Sequence, residues 1–287
     1  MKEFYLMLKL VLFPAFVFLF LLTGCRSFFS SGKNFTLATF NVRCPVDKTP
    51  HSWEERKSRC LAVIRRNRLD IFGVQEAYRN QLDDLTADGQ YAFIGKGRND
   101  FKDQGEFSAI LYKKERFEVL DSGTFGLSEK PHVPGFRSWN SRHPRIATWG
   151  LFRDKKNGKT FVYYNTHLDN YSEDARINGI KLLMKHASEK AADAPLILTG
   201  DFNSRPDTPT WKTAAFFLKD SSRISRTPHT GPVQTFHSYG RKTFTYPIDF
   251  IFVSDSFTVH SHRTDDTRFP EGFASDHYPV IVSLTLK

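Results

Sequence analysis

Leu196-Ile197-Leu198-Thr199-Gly200-Asp201-Phe202-Asn203-Ser204 is the stretch that decides the fold. Its apolar first half reads as a buried strand, and Gly, Asp, Asn and Ser then close it as turn residues do. Four other segments repeat this arrangement of an apolar run with a polar end. They are Thr39-Phe40-Asn41 after Phe35–Phe40, Val74-Gln75-Glu76 after Leu69–Val74, Asn165-Thr166-His167-Leu168 after Phe161–Tyr164, and Ser275-Asp276-His277. In an α/β protein, groups at the ends of core strands converge on one rim, where ligands bind. Glu76, Asp201 and Asp276, with Asp249 of Ile248-Asp249-Phe250, would then crowd four carboxylates together. Such a cluster cannot stay ionised and desolvated without a counter-charge. A hard divalent cation with oxygen ligands is the usual solution.

The rest of the chain supplies the framework. Strands are expected at Phe35–Arg43, Leu69–Glu76, Tyr91–Gly95, Phe107–Tyr112, Phe117–Gly123, Ile146–Arg153, Thr160–His167, Pro195–Thr199, Thr243–Val253, Phe257–His262 and Tyr278–Leu286. Trp53–Asn67 reads as a helix with Cys60, Val63 and Ile64 on one face and many charges on the other. Further helices are expected over Ala77–Leu85, from an N-cap at Ser172 to about Ala192, and from Thr208-Pro209. The segment from Gly126 to Pro144 reads as a long loop. Hairpins mixed with helix-connected strands suggest two packed sheets with helices outside. No linker interrupts Phe35 to Lys287, so this stretch reads as one domain, expected to act as a monomer.

The chain has 287 residues, 28 Phe and a formal charge of +10. A basic protein suits a polyanion, either nucleic acid or an anionic membrane surface, but ordinary surface charge gives the same balance. At the N-terminus, Lys2 and Lys9 precede an apolar run from Leu10 to Leu22, followed by Thr23-Gly24-Cys25. The run is shorter than the ~20 residues a membrane span needs. Leu22-Thr23-Gly24-Cys25 resembles a bacterial lipobox, which implies a signal peptide over residues 1–24, a lipidated Cys25 and a tether over 25–34. The body would then lie on the bacterial cell envelope, facing the periplasm or exterior. The alternative is an uncleaved anchor from Phe4 to Leu22. Cys60 reads as a small buried thiol, and no metal–thiolate spacing exists.

Each polar end also has an individual reading. Glu76, at the end of an apolar strand, is a candidate metal ligand; the alternative is a surface Glu beside the following helix. Asp201 and Asn203, at i and i+2, would lie on one side of an extended segment and hold a water between them. Asp249, inside Tyr246-Pro247-Ile248-Asp249-Phe250-Ile251-Phe252, needs a partner, and His277 is the natural one. His167 is a candidate phosphate contact. Arg145, opening a strand, would offer a bidentate fork to phosphate or else form an ordinary ion pair.

Asn41, Glu76, Arg145, His167, Asp201, Asn203, Asp249, Asp276 and His277, in that order, resemble the motif set of the endonuclease/exonuclease/phosphatase superfamily. The resemblance spans Phe35 to Lys287. Asn41-Val42-Arg43, Ser52-Trp53-Glu54-Glu55-Arg56-Lys57 and the stretch from Ser138 to Trp149 are similar to a subgroup of bacterial lipoproteins and exported hydrolases. The superfamily implies a deoxyribonuclease I-like α/β (α+β) four-layer sandwich, with two mixed β-sheets flanked by helices. It also implies Mg²⁺- or Mn²⁺-dependent cleavage of a phosphoester. Glu76 would hold the metal with Asn41 and Asp276 beside it. Asp201 would take the proton of the attacking water, which Asn203 positions. His277, oriented by Asp249, would stabilise phosphate charge with His167, Arg145 and Asn41. Nucleic acid is the first substrate expected, because the rim reads as rich in Arg and Lys and the chain is basic. A sugar phosphate, another small phosphoester or a phospholipid headgroup is the alternative within enzymes. A tethered polyanion-binding module is the alternative outside them.

Overall fold

A computed structural model describes residues 34–191 and 194–287. The expected signal peptide, Cys25 and nearly all of the expected tether therefore lie outside the described residues. The first half of the domain runs β1 (Phe35–Asn41), α1 (Trp53–Arg66), β2 (Ile71–Gln75), α2 (Arg79–Thr86), β3 (Tyr91–Ile94), β4 (Ile110–Lys113), β5 (Phe117–Gly126) and β6 (Ile146–Asp154). The second half runs β7 (Thr160–His167), α3 (Glu173–Ala191), β8 (Leu196–Asp201), α4 (Pro209–Phe217), β9 (Lys219–Asp220), α5 (Ser221–Ile224), β10 (Asp249–Val253), β11 (Phe257–Thr264) and β12 (Val280–Leu286).

The strands form two six-stranded sheets, ordered β11-β12-β1-β2-β4-β3 and β5-β6-β7-β8-β10-β9. Both are mixed. The pairs β1/β2 and β7/β8 are parallel, while β1/β12 and β8/β10 are antiparallel. Alternation along the strands sorts their side chains into layers. Phe35 and Leu37 of β1 meet Phe161 and Tyr163 of β7 and Ile251 of β10 between the sheets. The alternate residues Ala38 and Phe40 pack outward against Cys60, Val63 and Ile64 of α1 and Leu82 of α2. On the opposite side, Val162, Tyr164, Phe250 and Phe252 pack against Ile180 and Leu183 of α3 and Trp211 of α4. The order is helices, sheet, sheet, helices. This is the four-layer α/β sandwich the sequence implies.

Polar residues also cross between the sheets. The Gln75 amide donates to Asn165 Oδ1 at 2.7 Å, and Asn165 Nδ2 donates to the carbonyls of Val74 and Ala109 at 2.9 Å each. Gly73 makes this approach possible, since a Cβ there would lie 2.4 Å from Asn165 Cγ and 2.6 Å from Thr199 Oγ1.

Two expectations need correction. The expected strand from Thr243 begins only at Asp249, and residues 243–248 are loop. Thr235 Oγ1 accepts from the N–H groups of Ile248 and Asp249, taking donors that a longer ladder would use. β1 and β2 stop at Asn41 and Gln75, short of the expected Arg43 and Glu76. Arg43 and Glu76 have φ of 59° and 61°, and a left-handed residue ends an extended strand. A charge of α1 faces inward. Arg56 is 0% exposed, and its guanidinium donates to the carbonyls of His51, Val42, Ala274 and Arg43 at 2.7–3.0 Å. Those acceptors satisfy the buried charge, which ties the segment after β1 to the one before Asp276.

Candidate active site

The parallel pairs bring Asn41 beside Gln75 in one sheet and His167 beside Asp201 in the other. β10 runs antiparallel to β8, so its first residue, Asp249, sits opposite Asp201. One rim therefore collects side chains spread over most of the sequence. They surround a cleft of about 300 Å³ whose lining includes Glu76, Asp276, Asp201, Asn203, His167 and His277. Arg43, Glu76, Asn203, Ser238 and Tyr239 all line it with φ between 46° and 61°. Non-glycine residues in this region are strained by ~1–3 kcal/mol each, and such strain concentrates at functional sites.

His277 Nδ1 lies 2.9 Å from Asp249 Oδ2, and His277 Nε2 lies 3.8 Å from Asp201 Oδ2. Burial would lower the imidazole pKa, but Asp249, Asp201 and Asp276 outweigh it and raise it to about 10. His277 is thus a cation with its Nδ1 proton fixed on Asp249. His167 is the opposite case. Burial, then Arg145 and Arg98, push it well below the usual histidine range. It is neutral, and its Nε2 accepts from Asn203 Nδ2 at 2.9 Å. The proton therefore sits on Nδ1. Asp201 is raised to about 7 by burial and by Asp249, with His277 opposing. A carboxylate poised there is suited to accept a proton near neutral pH. Asn203 is not in an extended segment with Asp201, as the sequence suggests. It turns left-handed, and its N–H donates to Asp201 Oδ1 at 2.9 Å.

Burial raises the pKa of Glu76, but Arg43, Asn41 and His277 outweigh it and hold it below the usual carboxylate range. Glu76 Oε2 accepts from the Cys44 N–H at 3.1 Å, and Arg43 Nη1 lies 3.5 Å away. Asp276 lies 3.9 Å from Arg43 Nε, and burial and Glu76 raise its pKa. The shift is chiefly the cost of burying this carboxylate as an anion. Glu76 and Asp276 thus present oxygen atoms to the cleft, the donor set that fits a hard divalent cation. Asn41 does not join them as an oxygen ligand. Its Oδ1 accepts from the Arg43 N–H at 3.0 Å, and its Nδ2 donates to Glu76 at 3.0 Å and to Asp201 at 3.1 Å. It is a tether between two carboxylates of opposite sheets. Among the described residues, Asp201, Asp249 and His277 also form a cluster compact enough to hold a metal ion. There, however, the Nδ1 of His277 is engaged by Asp249, so the Glu76–Asp276 side fits better.

Arg145 does not line the cleft. It is buried, with Nε 3.4 Å from Asp169 and Nη2 donating to Asn170 Oδ1 at 3.2 Å. These acceptors take the fork expected to meet phosphate, and Asn170 is the residue that reaches the cleft. Sequence reasoning also missed Arg43, Asp47, Tyr239 and Arg241 in the lining. Only Arg43 carried a signal, as the residue just after a motif Asn. The other misses come from loops, where no periodicity marks them. Cys44 and Cys60 are both buried and unbridged.

The endonuclease/exonuclease/phosphatase family profile matches residues 38–277. The chain belongs to that family. Among solved structures of the family's fold, an endonuclease/exonuclease/phosphatase from Bacteroides vulgatus superposes with TM-score 0.84 at 36% identity, covering 88% of this chain and 99% of its own. A mannosyl-6-phosphatase from Bacteroides thetaiotaomicron superposes with TM-score 0.80 at 32% identity, covering 88% and 99%. Protein angel of Drosophila melanogaster is 28% identical over 173 residues, or 55% of this chain. That match spans 47% of angel's own length. Members of that family are phosphoester hydrolases.

Proposed function

We propose that this protein is a divalent-metal-dependent phosphatase acting on a compact phosphomonoester, a sugar phosphate first of all. One observation carries the reading. Among the described residues, Arg43 and Arg241 are the only Lys or Arg that line the cleft, alongside the acids Asp47, Glu76, Asp201 and Asp276. Nucleic acid is bound by many cationic contacts to successive phosphates. The basic balance that favours nucleic acid in the sequence is not gathered at this rim. A single phosphoryl group needs less: one metal and a few donors. The full-length likeness to a mannosyl-6-phosphatase supports the same choice.

Mg²⁺ or Mn²⁺ bound at Glu76 and Asp276 would supply Lewis-acid polarisation of the phosphoryl oxygens. Asp201 accepts a proton from the attacking water, and Asn203 holds that carboxylate and His167 in register. The His277 cation, fixed by Asp249, places charge where the transition state accumulates it. His167 donates no net charge and shapes the hydrogen bonding around Asn203. Lipidation at Cys25 would hold the enzyme at the cell envelope as a monomer. The test is phosphate release by purified protein from hexose phosphates, with Mg²⁺ and after chelation, beside hydrolysis of DNA and RNA. Metal-dependent nucleolysis without phosphate release from any sugar phosphate would overturn the choice of substrate.

A further inference from the structure

A second cavity, of about 410 Å³, opens beside the cleft and shares Asn203, Phe236 and Ile248 with it. Its own walls carry Phe244 and Tyr246 from the loop before β10, Glu173 and Arg176 from the start of α3, and Arg205 from the segment after β8. A group esterified to a phosphate in the cleft has this cavity as its neighbour. We infer that the second cavity is the leaving-group subsite and that it takes a hexose ring. The inference rests on the phosphatase reading above.

Two features favour a sugar over a nucleobase. The aromatic rings do not form a flat slot. Phe236 and Phe244 are 5.9 Å apart with planes inclined by 32°, and Phe244 and Tyr246 are 5.5 Å apart at 51°. A base stacks best on a flat platform, whereas a sugar offers a small C–H face to one tilted ring and hydroxyls elsewhere. The remaining wall supplies partners for hydroxyls. Glu173 accepts, Arg176 and Arg205 donate, and Ser204 Oγ, whose proton goes to Thr208 Oγ1, accepts. Arg176 Nη1 is tied to the Asp169 carbonyl at 2.9 Å, yet its Nε is buried without a partner among the described residues. A site built to hydrogen-bond hydroxyls discriminates strongly against ligands lacking them. Its volume falls in the range of small-molecule sites, roughly 300–1,000 Å³.

The experiment compares kcat/KM for mannose 6-phosphate, adenosine 5′-monophosphate and methyl phosphate in wild type and in Tyr246→Ala, Arg205→Ala and Glu173→Gln. These three residues line the second cavity and not the first. Wild type should prefer the hexose phosphate. Each variant should lower the ratio of hexose phosphate to methyl phosphate turnover at least tenfold, mainly through KM. Equal losses on all three substrates, or a preference for the nucleotide that the variants abolish, would overturn the subsite. Saturation-transfer NMR with free mannose reads the cavity without turnover. Transfer from wild type that weakens in Tyr246→Ala supports the inference even if no phosphomonoester is hydrolysed, which would refute only the phosphatase reading. No transfer from wild type overturns the inference.

Discussion

Asp249 Oδ2 accepts the Nδ1 proton of His277 at 2.9 Å, although the two residues lie 28 positions apart. β10 begins at Asp249 and His277 precedes β12, so neither residue has room to drift. The pair should behave as one unit. Asp249→Asn and His277→Ala should each lower kcat by orders of magnitude with a smaller effect on KM. The double variant should be little worse than either single one. Multiplicative losses in that cycle would mean that the two act independently.

Glu76 should govern metal use. Removing one carboxylate from an oxygen site with few ligands weakens Mg²⁺ strongly. Glu76→Gln should need a much higher Mg²⁺ concentration for half-maximal activity, with the urea midpoint nearly unchanged. Wild-type turnover that survives exhaustive chelation would refute the metal requirement.

Gly73 should be intolerant of any side chain. A Cβ there would meet Asn165 Cγ at 2.4 Å inside the polar contact between the sheets. Overpacking of a tight interior costs about 1–3 kcal/mol, and displaced buried amides add to it. Urea unfolding of Gly73→Ala should show a lower midpoint with an unchanged slope. A midpoint equal to wild type would show that the sheets can separate there at no cost.

His262 should make the fold acid-sensitive. Burial, then His229 at 2.8 Å, lowers its pKa from 6.5 to about 3. The unfolded chain therefore takes up a proton below pH 6.5 that the folded chain refuses. Stability from this group is complete above pH 6.5 and falls by about 1.4 kcal/mol per pH unit down towards 3. His237, also lowered to about 3 chiefly by burial, acts in the same direction. Unfolding free energies between pH 7 and 5 should fall more steeply for wild type than for His262→Gln, and parallel lines would contradict the assignment.

Cys25 should carry the anchor that the lipobox-like Leu22-Thr23-Gly24-Cys25 implies. Cells expressing wild type should incorporate lipid label into the protein, and Cys25→Ser should not. A wild-type protein that retains residues 1–24 and takes up no label would rule the anchor out.

The sequence by itself determined the core strands and the order of the chemistry. Apolar runs that lead to Glu76, His167 and Asp201 mark buried strands because burying such runs outweighs most other local preferences. Carboxylates at their ends imply a counter-charge on electrostatic grounds alone. Periodicity likewise located α1, α3 and the core strands, and Thr208-Pro209 announced α4 through its cap. Tertiary structure decided which atoms face each other. Asn41 presents its amide and not its oxygen to Glu76, because the Arg43 N–H claims that oxygen after a left-handed turn. Arg145 turns to Asp169 and Asn170 and leaves the cleft to others. Arg56 is buried because four carbonyls meet around it. Tyr239 and Arg241 come from a loop that obeys no period, and Phe244 and Tyr246 from a stretch that reads as strand but folds as loop; both are shaped by what they pack against. Local sequence fixes burial and backbone preference residue by residue, whereas hydrogen-bond partners and cavity walls depend on segments that meet only when the sheets close.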